Sequence, residues 1–153
     1  SEQCTPSMMR PEAYAEFVTP YESRIVSFLR NKGVPVNCHC HGRITHALPL
    51  MIEARFDATD PTEAPEYGGD GDLSMARARE LVGNRLTLCG NLQFEELERW
   101  PEDHIRARVR EIIDTGKGRL VLTASAGPTS RMSREMIANY YAWIDEAVTY
   151  GTW

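Results

Sequence analysis

Apolar residues recur at helical spacing through Tyr14, Phe17, Val18, Tyr21, Ile25, Phe28 and Leu29. This spacing predicts a helix that opens at Pro11-Glu12 and closes at Gly33. Pro20 falls inside it and predicts a kink or a split, because proline removes a backbone donor. A strand follows over 34–40, and then a helix over 44–54 with Ala47, Leu48, Leu50, Met51 and Ile52 as its apolar residues. A short strand is predicted over 55–59. After it, 60–72 is rich in acids, proline and glycine and reads as a long loop, a kind of segment that tends to carry function. The pattern continues with a helix over 73–82 capped by Gly83, a strand over 85–89, a helix from Pro101 to near Gly116 and a strand over 119–123. Ser133 caps a last helix through Ile137, Tyr140, Tyr141, Ile144 and Val148. Helices and strands alternate throughout, which predicts an α/β fold of parallel strands joined by crossover helices.

Within 34–40 the side chains alternate between two faces. Val36, Cys38 and Cys40 form a small apolar face fit to lie under a helix, and Asn37, His39 and His41 form the other. Two imidazoles at i and i+2 can share a borderline-soft cation such as zinc. In parallel α/β folds ligands bind at the carboxyl ends of the strands. Here those ends hold His39, His41 and Gly42; Asp57, Asp60 and Glu63; Gly90 and Asn91; and Ser125, Ala126 and Gly127. Glu63 follows its strand closely and is the acid expected to act, as a catalytic and substrate-binding residue. Asn91 is read equally as a turn residue or a substrate-binding amide. His46 and His104 fall in helical patterns and are expected to be solvated.

The 153 residues suffice for one domain with a real core. The net charge of −5 argues against a nucleic-acid surface. No apolar run approaches the ~20 residues a membrane helix needs, and no secretory signal is visible. Cys4, Cys38, Cys40 and Cys89 read as reduced thiols of a cytoplasmic protein.

Taken in order, several short motifs resemble the carboxyl-terminal half of the uroporphyrinogen decarboxylase superfamily, which includes the corrinoid-dependent methyltransferases. They are Pro11-Glu12 with Phe17-Val18-Thr19-Pro20-Tyr21, His39-Cys40-His41-Gly42, Thr62-Glu63-Ala64-Pro65, Gly69-Asp70, Gly90-Asn91-Leu92 and Ala126-Gly127-Pro128. The resemblance spans nearly the whole chain, 1–153, as a single domain. It implies half of a TIM (β/α)8 barrel, and hence a missing amino-terminal half-barrel or a second copy of the chain as partner. The methyltransferase branch binds zinc through a His-x-Cys-Gly strand end and a later cysteine. The resemblance therefore implies His39 as a ligand, with His41 at the position of the first cysteine and Ala126 near that of the second. Since alanine cannot bind metal, either the third ligand comes from elsewhere, with Glu2 and Glu63 as the substitutes, or the site binds no zinc.

Three functions follow. The first is zinc-dependent methyl transfer with a corrinoid, or another methylated small molecule, as substrate or partner cofactor. The second is decarboxylation of an acidic tetrapyrrole, for which this half holds no cluster of arginines at its strand ends. The third is a degenerate binding module without catalysis.

Overall fold

The computed structural model of the chain describes residues 1–6, 8–66, 69–128 and 131–151. After a single 3-10 turn at Glu2–Cys4 come α1 (Glu12–Phe17), α2 (Thr19–Arg30), β1 (Asn37–His39), α3 (Leu48–Glu53) and β2 (Ala58–Thr62). These are followed by α4 (Met75–Val82), β3 (Thr87–Gly90), α5 (Phe94–Arg99), α6 (Glu102–Gly116), β4 (Leu120–Val121) and α7 (Arg134–Tyr150). The four strands form one sheet in the order β1-β2-β3-β4, every pair parallel. This is the predicted architecture, half of a (β/α)8 barrel with β1 and β4 at its open edges. No helix among the described residues is long and apolar enough to cross a membrane.

The register sorts the sheet into two faces. Cys38 pairs with Thr59, Thr59 with Leu88, and Leu88 with Leu120. The first three are buried under the helices with Leu48, Met51, Ala78, Val82, Ile105 and Ile112. The opposite face carries His39 beside Asp60 on the first pair of strands, and Cys89 beside Val121 on the last. In a closed barrel that face lines the interior.

Proline splits the first helix as expected. Val18 separates α1 from α2, and Pro20 takes up the first turn of α2, where its missing N–H costs nothing. Ser133 caps α7 as read, its hydroxyl accepting from the Met136 N–H at 3.0 Å.

Two elements differ from the sequence reading. The second strand lies at Ala58–Thr62, not at 55–59. Arg55 adopts a positive φ of 67° at the end of α3, so the chain is still turning there. Asp57 is tied down at the foot of the strand, accepting from the Val36 N–H at 2.8 Å and pairing with Arg30. Asp60-Pro61 has turn-like composition, yet Asp60 pairs with β1, its carbonyl accepting from the Cys40 N–H at 2.8 Å, and the register against β3 shifts between Thr59 and Thr62. Proline's lack of a donor is therefore harmless at this point. The acidic segment is accordingly shorter than read, and its residues 67 and 68 lie outside the described residues.

Helix α5 had no counterpart in the sequence reading. Its N-cap is Gln93, outside the usual Ser, Thr, Asp and Asn set. The Glu96 carboxylate instead accepts from the Gln93 N–H at 2.9 Å. Glu96 is fully buried and also meets Arg108 Nε at 3.0 Å and His104 Nε2 at 2.9 Å. His104 further stacks on Trp100, so it is a packed residue and not a solvated one. His46 is half-buried, with burial lowering its pKa, and its ring meets Tyr14 edge-on.

Candidate metal centre

β1 ends in His39-Cys40-His41-Gly42, and alternation separates the imidazoles from the thiols. Cys38 and Cys40 are buried on the helix side, and all four cysteines are free. Burial pushes the Cys40 thiol up to about 12 and the Cys89 thiol up to about 11. At neutral pH both are neutral thiols, Cys40 in the core and Cys89 on the opposite face of the sheet.

The imidazoles lie together on the open side. Their ring centroids are 4.8 Å apart, with the rings 77° from coplanar. Glu2, on the 3-10 turn, comes to the same point. One donor atom from each of Glu2, His39 and His41 lies within 4.8 Å of the others. These are the three residues expected to hold a metal. Ala126, exposed and without a donor atom, offers nothing to an ion.

Each imidazole is backed by a carboxylate. His39 Nδ1 lies 3.3 Å from Asp60 Oδ2, and His41 Nδ1 lies 3.3 Å from Glu63 Oε1. The other Glu63 oxygen accepts from the Gly42 N–H at 2.5 Å. Glu63 is buried, and its backbone carbonyl accepts from the Leu73 N–H at 3.3 Å. Gly71 runs against that backbone so closely that any side chain there would collide with it. Asp60 is one of the acids that the sequence groups at the end of this strand, but Glu63 alone is singled out there. The signal that finds Asp60 is register, since it is the residue directly opposite His39.

Asn91, read equally as a turn residue or a substrate-binding amide, directly follows β3. It is buried, and its amide nitrogen donates to the Leu73 carbonyl at 3.4 Å. Its Oδ1 is buried with no hydrogen-bond partner among the described residues. Gly90, just before it, has φ 144° and passes the Thr62 carbonyl so closely that a Cβ would sit 2.7 Å from the oxygen. Asn91 therefore belongs to the wall beneath the strand ends and not to the exposed cluster.

A parallel half-barrel with a histidine–carboxylate cluster at the carboxyl ends of its strands defines the class of protein. The family model for uroporphyrinogen decarboxylase (URO-D) matches residues 2–146. The chain belongs to that family. It is 30% identical over 112 residues to uroporphyrinogen decarboxylase of Syntrophotalea carbinolica, covering 73% of this chain and 30% of that protein. Uroporphyrinogen decarboxylase of Geobacter sulfurreducens is 26% identical over the same length, again 73% of this chain and 30% of the relative. The chain thus spans less than a third of these curated relatives. Among solved structures, a methyltransferase from Methanosarcina mazei superposes with a TM-score of 0.73 at 19% identity, over 97% of this chain and 40% of that one. That likeness is one of fold.

Proposed function

We propose that this chain carries the metal-binding part of a zinc-dependent methyltransferase of the URO-D family, acting on a methyl-corrinoid or another methylated small molecule. The observation that carries the reading is the convergence of Glu2, His39 and His41 within 4.8 Å at the end of a parallel strand. Two imidazoles and one carboxylate are a donor set that suits zinc, and Glu2, His39 and His41 would hold it with room left for a substrate. Bound there, zinc supplies the charge that lowers the pKa of a substrate thiol. The chain's own residues hold the ion and present it to the interior face of the sheet, where Asp60 and Cys89 also lie. The rest of the cavity wall comes from an amino-terminal half-barrel or a second copy of the chain, and the whole works in the cytoplasm.

A second reading, decarboxylation of an acidic tetrapyrrole, is favoured by the curated relatives of the chain. Elemental analysis of protein never exposed to chelator separates the two. About one zinc per chain, lost in His39→Ala and in His41→Ala, supports methyl transfer. Folded, metal-free protein that binds a porphyrin carboxylate supports decarboxylation and overturns the zinc reading.

A further inference from the structure

We infer that Asn91 is a positioning residue for His41, acting through Leu73, Glu63 and Gly42. The inference rests on the metal reading above. The Asn91 amide nitrogen donates to the Leu73 carbonyl at 3.4 Å, and the Leu73 N–H donates to the Glu63 carbonyl at 3.3 Å. The Glu63 side chain in turn accepts from the Gly42 N–H at 2.5 Å. That N–H belongs to the planar peptide unit that leaves His41, so fixing its direction fixes the backbone from which the imidazole projects. Gly42 itself has φ 84°, a left-handed turn that glycine makes without strain.

A second tie starts at the same place. Asp72, next to Leu73, accepts from the Thr45 N–H at 3.2 Å. The turn after β1 is therefore held twice, at Gly42 and at Thr45, and Leu73 joins the two ties. Asn91 holds Leu73 and so stands behind both. The Leu73 carbonyl can only accept, which requires the amide nitrogen of Asn91 to face it. Asn91, Leu73 and Glu63 are all buried, so solvent does not make good a bond lost among them. The backbone around them is in close contact as well. Gly90 brings the end of β3 against Thr62, the residue before Glu63, and Gly71 lies against Glu63 itself. In so tight a packing a shift at Asn91 is passed on and not absorbed.

Asn91→Ala removes the donor. Amide hydrogen exchange of the metal-free chain, read by NMR, should then speed up about 10-fold at Leu73 and Gly42, the worth of one buried hydrogen bond, while the amides of α6 keep the wild-type rate. Zinc affinity, measured by competition with a chromophoric chelator, should fall about 10-fold, the low end for groups that orient metal ligands. Cobalt(II) loaded in place of zinc should show shifted visible bands, because these report the geometry of the ligands. Asn91→Leu keeps the branched shape and also lacks the donor, so it carries the test if Asn91→Ala does not fold. Asp72→Ala cuts the exposed tie alone and should speed exchange at Thr45 but not at Gly42, with a smaller loss of affinity. Asp72→Asn should restore both, because an amide oxygen still accepts from an N–H. Exchange at Gly42 equal to wild type in the Asn91 variants overturns the positioning role. Faster exchange with unchanged zinc affinity and an unchanged cobalt spectrum makes Asn91 purely structural and overturns it too. Either result leaves the metal reading standing. A wild-type chain that binds neither zinc nor cobalt overturns both.

Discussion

The helices in the middle of the half-barrel and those at its two ends share one amphipathic pattern and meet different fates. In α4 and α6 the apolar stripe faces inward: Met75, Ala78, Val82, Ile105, Val109 and Ile112 are all buried. In α2 only Val26 is buried, while Tyr21, Ile25 and Phe28 stand exposed, continuing from Phe17 at the end of α1. Helix α7 buries Met136 and Ala142 together with polar residues. Its inward residues include Asn139, whose amide donates to the carbonyls of Leu97 at 3.0 Å and Trp100 at 2.8 Å. Buried Glu146 pairs with Arg106 and Arg110 of α6. Its outward residues are Ile137, Tyr141, Ile144 and Val148, all exposed. A helix anchored by polar groups and apolar on its outer side is not built to face water. In a closed barrel each helix has a neighbour on both sides. The end helices of this half lack one neighbour each.

The largest expected effect breaks the middle of the molecule. Leu88 is fully buried on the helix side of β3, between Thr59 and Leu120. Leu88→Ala removes its packing and leaves a cavity, and should cost about 2–5 kcal/mol in urea unfolding. A loss below about 1 kcal/mol would mean that the centre of the sheet is as loosely covered as its ends.

A smaller effect contrasts the two faces of β1. Cys40, on the helix side, has its thiol pushed up to about 12 by burial, from a usual value of 9.0. A group whose pKa is raised on folding contributes stability that is complete below its unfolded pKa and lost as pH rises toward the folded one. Stability should hold to about pH 9 and decline from there toward about 12. Cys40→Ala should flatten that decline in thermal melts taken across the range. An unchanged slope in the variant would show that other groups control the alkaline limb.

The alternating pattern made the architecture legible in the sequence, since period and punctuation are local properties. Pro20, Gly33 and Ser133 marked boundaries that the fold keeps. The neighbouring histidines were legible too, because strand alternation alone puts His39 and His41 on one face. What escaped was whatever depends on a partner strand or an unusual cap. Asp60 acquires its place from register against β1, and α5 from a buried glutamate beneath a glutamine cap. The exposure of the stripes on α2 and α7 was not legible, because periodicity reveals that a helix has an apolar face but not what covers it.

Those stripes give the smallest effect, and its size depends on what surrounds them. Phe28 is 62% exposed and Ile144 is 54% exposed. In the 153-residue chain, Phe28→Ser and Ile144→Ser remove side chains that touch mainly water. Each should change the unfolding free energy by no more than about 0.5 kcal/mol. In a chain that also carries the other four strands, the same side chains lie against neighbouring helices, and each substitution should cost about 1.5–3 kcal/mol, the value of a buried large apolar side chain. If the cost is already that large in the short chain, its unfolding midpoint should rise with protein concentration, because self-association is then what covers the stripes. A large cost with a concentration-independent midpoint would mean that the stripes pack within this half, and the contrast between middle and ends would fail.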